Sequence, residues 1–326
     1  PDEKQLASIS SEGAIKIWDY SEVLKKVRLL PDGRLVAAWD PNGNRIAIGY
    51  GKNQPGALAG VWNLETGNLQ RLPGQGGWCH QIDWSPDGNR IAMGGLSRGN
   101  LEFWDVTEEG FPDSALKSVP VSTGQMRGRY EWLPDSKQIL ALDAEAAIQR
   151  VDSETGAATI LKYDDEPIIV HPIRWKQSHD GTKLAYDQGD RVLIRDLDSG
   201  EIIDETEISR PANYIWSPDD RMVVVSSELG EIRIRDIESK RWVAELIGHS
   251  RYVGSMDWHP NGRRLVSSGI DQTVRIWELD FEAESFQQMA VLRYHEGEIY
   301  EVAWSPDGRQ LLTTGRDHRA MIWSAD

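Results

Sequence analysis

A five-residue turn signature recurs at near-constant spacing along this chain, and it limits the possible folds more than any other feature. Trp304-Ser-Pro-Asp-Gly308 is echoed by Trp39-Asp-Pro-Asn-Gly43, Trp84-Ser-Pro-Asp-Gly88, Trp132-Leu-Pro-Asp-Ser136, Trp216-Ser-Pro-Asp-Asp220 and Trp258-His-Pro-Asn-Gly262. Trp175 opens a looser version whose turn is delayed to His179-Asp-Gly181. Successive tryptophans lie 45, 48, 43, 41, 42 and 46 residues apart. A fixed period of this length marks a repeat architecture in which each period is one supersecondary unit.

A second signal keeps the same period and phase. It reads Ile17-Trp18-Asp19, Val61-Trp62-Asn63, Phe103-Trp104-Asp105, Val151-Asp152, Ile194-Arg195-Asp196, Ile234-Arg235-Asp236, Ile276-Trp277-Glu278 and Ile322-Trp323-Ser324. Between the signals lie apolar segments of strand length, separated by Pro-Asp-Gly and Asp-Gly turn formers. In the last unit these are Ile299 to Trp304, Gln310 to Thr314 and Ala320 to Trp323. A four-stranded unit of this size has two apolar faces. Packing such units side by side around an axis buries both, and closing the ring protects the edges.

These residues resemble the WD40-repeat β-propeller family over essentially the full length. The resemblance is strongest from Leu246 to Trp323, where Gly248-His249 and the Trp-Glu and Trp-Ser endings stand in register. It implies an all-β propeller of four-stranded antiparallel blades. Eight Ile-Trp-Asp-like endings occur, but only seven inner strands. Pro1-Asp-Glu-Lys reads as the tail of a turn signature, so the missing inner strand is expected just before Pro1. The favoured reading is one propeller over 1–326 with eight blades and its N-terminal closing segment missing before Pro1. The alternative is a seven-bladed ring plus one stray unit.

Charge and composition narrow the function. The chain holds 36 basic and 52 acidic residues, a net charge of -16. That balance disfavours direct nucleic-acid binding, which needs a basic footprint. One cysteine, Cys79, excludes an internal disulfide framework and fits a reducing, cytoplasmic compartment. No apolar run has the length of a membrane span.

His249, Ser267 and Asp271 have the residue types of a hydrolytic triad, as do His295, Thr313 and Asp317. A constellation duplicated at repeat spacing is better explained by a fold than by a site. The family resemblance implies structural tetrads instead: His249, Ser267, Asp271 and Trp277, and His295, Thr313, Asp317 and Trp323. Arg195 and Arg235 stand where other units have Trp, and ordinary divergence with the arginines along the blade surface is the favoured account. No metal set, phosphate loop or nucleophile elbow occurs, so no cofactor is expected.

In the repeat register, loops from outer to inner strand and loops between the middle strands emerge on one face, the top. Its residues include Trp78, Arg98, Met126, Arg127, Arg129, Tyr130, Arg210, Tyr214, Arg251, Tyr252, Tyr300 and Arg316. The opposite face collects Glu65, Glu108, Glu109, Glu154, Asp198, Glu201, Glu238, Asp280, Glu282 and Glu284. Trp, Tyr and Arg are enriched at interface hot spots. The expected function is a non-catalytic scaffold or sensor module that binds a protein through this basic-aromatic face. An acidic partner suits its charge, and a larger multidomain chain or complex suits the start in mid-motif. The competing reading is a propeller hydrolase or gating propeller. Its site at the channel mouth would draw on Cys79, His80 and His171.

Overall fold

The computed structural model describes residues 5–9, 15–19, 26–29, 36–49, 59–72, 79, 81–94, 100–107, 115, 117–120, 130–142, 147–163, 166–167, 175–317 and 319–324. Every regular element among them is a β-strand. Strands β1 (Gln5–Ile9) and β2 (Ile15–Asp19) pair only with each other. After β3 (Lys26–Leu29), the first blade is built from β4 (Val36–Trp39), β5 (Arg45–Gly49), β6 (Ala59–Asn63) and β7 (Leu69–Arg71). The second holds β8 (Gln81–Trp84), β9 (Arg90–Gly94), β10 (Asn100–Asp105) and β11 (Lys117–Pro120). The third holds β12 (Tyr130–Trp132), β13 (Gln138–Leu142), β14 (Ile148–Asp152) and β15 (Ala158–Ile160). A short pair follows, β16 (Lys162–Tyr163) with β17 (Glu166–Pro167).

The fourth blade is β18 (Trp175–Gln177), β19 (Lys183–Gln188), β20 (Arg191–Asp196) and β21 (Ile202–Glu207). The fifth is β22 (Pro211–Trp216), β23 (Met222–Ser227), β24 (Ile232–Asp236) and β25 (Arg241–Leu246). The sixth is β26 (Val253–Trp258), β27 (Arg264–Gly269), β28 (Val274–Asp280) and β29 (Ser285–Leu292). The seventh is β30 (Ile299–Trp304), β31 (Gln310–Gly315) and β32 (Ala320–Ser324), completed by β3, which pairs antiparallel with β32 from Lys26 opposite Ser324 to Leu29 opposite Met321.

The ring therefore has seven four-stranded blades, not eight, and the favoured count is corrected. The outer strand of the last blade comes from β3, inside the chain, and not from a segment before Pro1. The eighth motif ending, Ile17-Trp18-Asp19, falls on β2, whose only partner strand among the described residues is β1. The apolar core shows the same count. Each blade seam holds its own cluster, such as Phe103, Tyr130, Trp132 and Ile139 between the second and third blades. The seam between the seventh and first joins Leu312 and Ile322 to Trp39, Ile46 and Trp62. Burial is shared between neighbours, so no single blade is stable alone.

The turn signature works through local hydrogen bonds. The Ser85 hydroxyl donates to Asp87 Oδ1 at 2.6 Å and accepts from the Arg90 amide at 2.9 Å. Ser178 with Asp180, Ser217 with Asp219 and Ser305 with Asp307 repeat the hydroxyl–carboxylate bond at 2.6 Å. The fifth position is left-handed in each described turn, which favours glycine. Ser136 and Asp220 adopt φ of 57° and 54° there without it. The Ser178 match also explains the looser version at Trp175. Gln177 occupies the place that Trp84 and Trp304 hold, one residue before the turn serine, and Trp175 lies two residues earlier, fully buried opposite Tyr186.

Candidate functional site

The polar residues singled out as candidate chemistry meet in two buried relays. In the sixth blade the Trp277 indole N–H donates to Ser267 Oγ at 2.8 Å, and Ser267 Oγ lies 2.8 Å from His249 Nε2. His249 Nδ1 lies 2.9 Å from Asp271 Oδ2. In the seventh blade Trp323 donates to Thr313 Oγ1 at 3.0 Å, Thr313 to His295 Nε2 is 2.9 Å, and His295 Nδ1 to Asp317 Oδ1 is 2.9 Å. An ionised carboxylate only accepts, so the proton sits on Nδ1; Nε2 is then the acceptor, and the hydroxyl donates to it while accepting from the indole. Burial acts to raise the Asp271 carboxyl, but bonds from His249, Thr273 and Ser250 outweigh it and hold the group well below its ordinary range. The hydroxyls are buried and already engaged on both sides, so neither is an accessible nucleophile. Close approach enforces Gly248: a Cβ there would sit 3.0 Å from the Trp277 ring and closer still to Arg275.

Of the arginines at the degenerate tryptophan positions, Arg235 does not lie along the blade surface, and the expectation is corrected there; Arg195 is half-buried and bonds within its own blade. Arg235 is buried and donates through Nε to Asp204 Oδ2 at 2.5 Å and through Nη2 to Asp204 Oδ1 at 2.9 Å. Asp204 belongs to the outer strand of the fourth blade, so the pair ties two blades together. The guanidinium also sits over the Trp242 ring, 5.3 Å from its centre. Arg195 donates to the Tyr186 hydroxyl at 3.1 Å and to the Gly200 carbonyl. Each arginine replaces a single indole N–H with a charged group that carries several donors.

Alternate residues of the inner strands reach opposite neighbours around the axis. Glu131 Oε2 accepts from the Gln177 amide at 2.8 Å, Asp257 Oδ2 from the Trp304 amide at 2.6 Å, and Glu301 Oε2 from the Ala37 amide at 3.0 Å. Indoles point the other way: Trp39, Trp84 and Trp216 donate to the carbonyls of Ala303, Ala38 and Lys176. Sequence reasoning missed this collar, because its carboxylates carry no motif. Burial pushes the carboxyls of Asp83 and Asp257 up to about 6, with Lys176 pulling both down. Cys79 is buried, its Sγ 3.2 Å from the Gln81 carbonyl, and burial pushes its thiol up to about 12. It is thus no thiolate nucleophile at neutral pH. His80 and His171 lie outside the described residues. No group of three His, Cys, Asp or Glu with metal-binding geometry occurs among the described residues.

The top-face candidates divide into three groups. Trp78, Arg98, Met126, Arg127 and Arg129 lie outside the described residues. Tyr130 and Tyr214 are core residues, 2% and 0% exposed, and do not belong to an open surface. The Tyr130 hydroxyl donates to the Ala92 carbonyl at 2.6 Å, and that of Tyr214 to Asp187 Oδ1 at 3.0 Å. Their positions on the inner strands turn them into the seams. Arg210, Arg251 and Arg316 are exposed, and Tyr252 and Tyr300 are half-buried. Arg316 pairs with Glu298 at 3.4 Å, whereas Arg210 and Arg251 make no ion pair among the described residues. On the opposite face Glu65, Glu154, Asp198, Glu201, Glu238, Asp280, Glu282 and Glu284 are exposed, and Glu108 and Glu109 lie outside the described residues. A polar cleft of about 350 Å³ opens there between the first and last blades, lined by Glu65, Asp307 and Arg309.

Comparison with known proteins places this architecture. The family model described as "WD domain, G-beta repeat" matches residues 240–278 and 286–324, the stretch that carries both complete tetrads. Apoptotic protease-activating factor 1 of Rattus norvegicus is 22% identical over 316 residues, covering 88% of this chain and 23% of the relative. The WD repeat-containing protein 26 homolog of Drosophila melanogaster is 27% identical over 296 residues, 85% of this chain and 44% of the relative. The U3 small nucleolar RNA-associated protein 21 homolog of Schizosaccharomyces pombe is 33% identical over 109 residues, 30% of this chain and 12% of the relative. The chain spans less than half the length of each of these curated relatives. A chain in the crystal structure of the mitotic checkpoint complex superposes with a TM-score of 0.74 at 19% identity, covering 93% of this chain and 95% of that one. Seven four-stranded blades, paired tetrads and these matches identify a β-propeller that carries WD40 repeats over residues 240–278 and 286–324.

Proposed function

We propose that this chain is a non-catalytic interaction module that binds a protein partner through its top face. The observation that carries the reading is the state of Arg210 and Arg251. Both are exposed on top-face loops, and neither guanidinium has an ion-pair partner among the described residues, on a chain with 16 excess negative charges. An arginine without an intramolecular partner is available to a carboxylate on another molecule. The candidate triads support the same reading, because their hydroxyls are consumed in structural relays. Two relatives are WD repeat proteins by name and the structural neighbour belongs to the mitotic checkpoint complex, and a scaffold or sensor role within a larger protein or complex extends that pattern to this chain. A cytoplasmic setting belongs to the same proposal and rests on the single free Cys79.

The test is comparative affinity capture with identification by mass spectrometry. Parent chain and an Arg210→Glu, Arg251→Glu, Arg316→Glu variant are used side by side. The reading expects one or more proteins captured by the parent and lost with the variant. Capture that depends instead on Glu65 and Glu201 would place the partner on the opposite face.

A further inference from the structure

Two large aliphatic side chains stand exposed on the loop of Arg251 and next to that of Arg210, two arginines whose guanidiniums make no ion pair among the described residues. Leu229 is 53% exposed and Ile247 is 82% exposed. Leu229 lies in the turn between β23 and β24, and Ile247 opens the loop between β25 and β26. Both connections emerge on the top face. Their loops touch: Gly230, at φ 95°, lies so close to the second loop that a Cβ there would come within 2.6 Å of the His249 carbonyl oxygen. The loop carrying Arg210 joins on the other side, where the Glu228 amide donates to the Arg210 carbonyl at 2.9 Å. Arg210 is itself held at φ 49°, with its amide bonded to Asp190 Oδ1 at 2.8 Å. Arg210, Leu229 and Arg251 thus follow one another across three loops in contact.

This patch is preorganised. His249 sits in the tetrad, so the loop bearing Ile247 and Arg251 is anchored to the blade interior. A rigid loop loses little entropy when it is covered, which favours binding. Water contact with two aliphatic side chains is unfavourable, and their burial needs an apolar group opposite. The flanking guanidiniums need carboxylates. The two requirements together define one occupant.

We infer that the loops bearing Arg210, Leu229, Ile247 and Arg251 form a docking site for an extended acidic segment of a partner protein, with one aliphatic or aromatic side chain of that segment seated against Leu229 and Ile247. This rests on the top-face reading and sharpens it to one arc and one chemistry. The carboxylates of the segment flank its apolar anchor at a spacing set by the two arginines.

A random-sequence peptide library selected on the 326-residue chain tests the assignment. Enriched peptides are expected to carry acidic residues within a few positions of Leu, Ile or Phe. They should bind about tenfold or more weakly to Leu229→Ser with Ile247→Ser, and to Arg210→Glu with Arg251→Glu. All substituted positions are exposed, and an unchanged thermal midpoint verifies each fold. The assignment is overturned if nothing is enriched, if the enriched peptides are basic or purely apolar, or if acidic peptides bind both variants as tightly as the parent. A third variant, Tyr300→Ala with Arg316→Glu, separates the two levels. Peptides weakened only by this third pair overturn the arc and leave the top-face reading standing. Peptides indifferent to all three variants overturn both.

Discussion

Arg235 and Asp204 form a buried two-pronged ion pair across the seam between the fourth and fifth blades. The geometry matters because a buried ion pair is costly to break from one side only. Removing Arg235 leaves a carboxylate in the seam without its cation, at a cost of about 3–5 kcal/mol. Removing both charges with apolar residues of similar volume costs far less. Arg235→Met should therefore lower the urea midpoint sharply, and adding Asp204→Leu should restore most of it. A double variant no better than Arg235→Met would show that the pair contributes through something other than mutual neutralisation.

The two tetrads make a matched experiment. Within one blade, His249 and Asp271 share a bond of 2.9 Å and a common network, so their substitutions should couple strongly. Across blades, His249 and His295 share no partner, and their effects should add. Ser267→Ala leaves both the Trp277 indole and His249 Nε2 without their shared partner and should cost about 1–3 kcal/mol. Double-variant cycles read by chemical denaturation report both couplings. Non-additivity between His249→Ala and His295→Ala comparable to that within a blade would refute the picture of independent local relays.

How much of this was written legibly in the residues depends on the kind of signal. Motifs that repeat in phase, such as Trp304-Ser-Pro-Asp-Gly308 and Ile322-Trp323, report strands and turns directly, because local hydrogen bonds fix them. The tetrads were legible for the same reason. The inner collar was not, because Glu131, Asp257 and Glu301 have no spacing signature and act only once neighbouring blades meet. Tyr130 and Tyr214 follow an inner-strand alternation that turns them into the seams, which residue type alone does not reveal. Arg235 reads as a surface residue in the sequence because its partner is 31 residues away on another blade. Leu229 and Ile247 are silent in the sequence, because single aliphatic residues in loops carry no pattern.

The collar and the tetrads predict opposite limbs of a pH profile. Asp271 and Asp317 are held below the ordinary carboxylate range, so their contribution is present at neutral pH and lost as acid protonates them. Asp83 and Asp257, pushed up to about 6 chiefly by burial, bind protons in the folded state that the unfolded chain releases near 3.8. The folded state holds more protons between those values, so stability falls as pH rises through that window. The ceiling is on the order of 3 kcal/mol for each group. The urea midpoint should rise from pH 7 to pH 5 and drop again below the ordinary carboxylate range. Asp83→Asn with Asp257→Asn should flatten the first limb and leave the second. An unchanged rise in that double variant would remove the collar as its source.

Ring closure is the sharpest consequence of counting seven blades. Motif endings number eight and inner strands seven, and it is the inner strands that define blades. Each unit's outer strand precedes its inner strand along the chain, so the outer strand before β4 belongs to the blade behind it, which is the seventh. Pairing of β3 with β32 closes the ring without β1 or β2. Deleting residues 1–22 should therefore leave the thermal midpoint close to that of the parent. Deleting residues 1–32 removes β3, strips β32 of its outer neighbour and exposes an edge. Several backbone bonds and the burial over the last blade go with it, and the midpoint should fall by about 10 °C or more. If the shorter deletion proved as damaging as the longer one, closure would depend on β1 and β2, and the seven-bladed ring would be wrong.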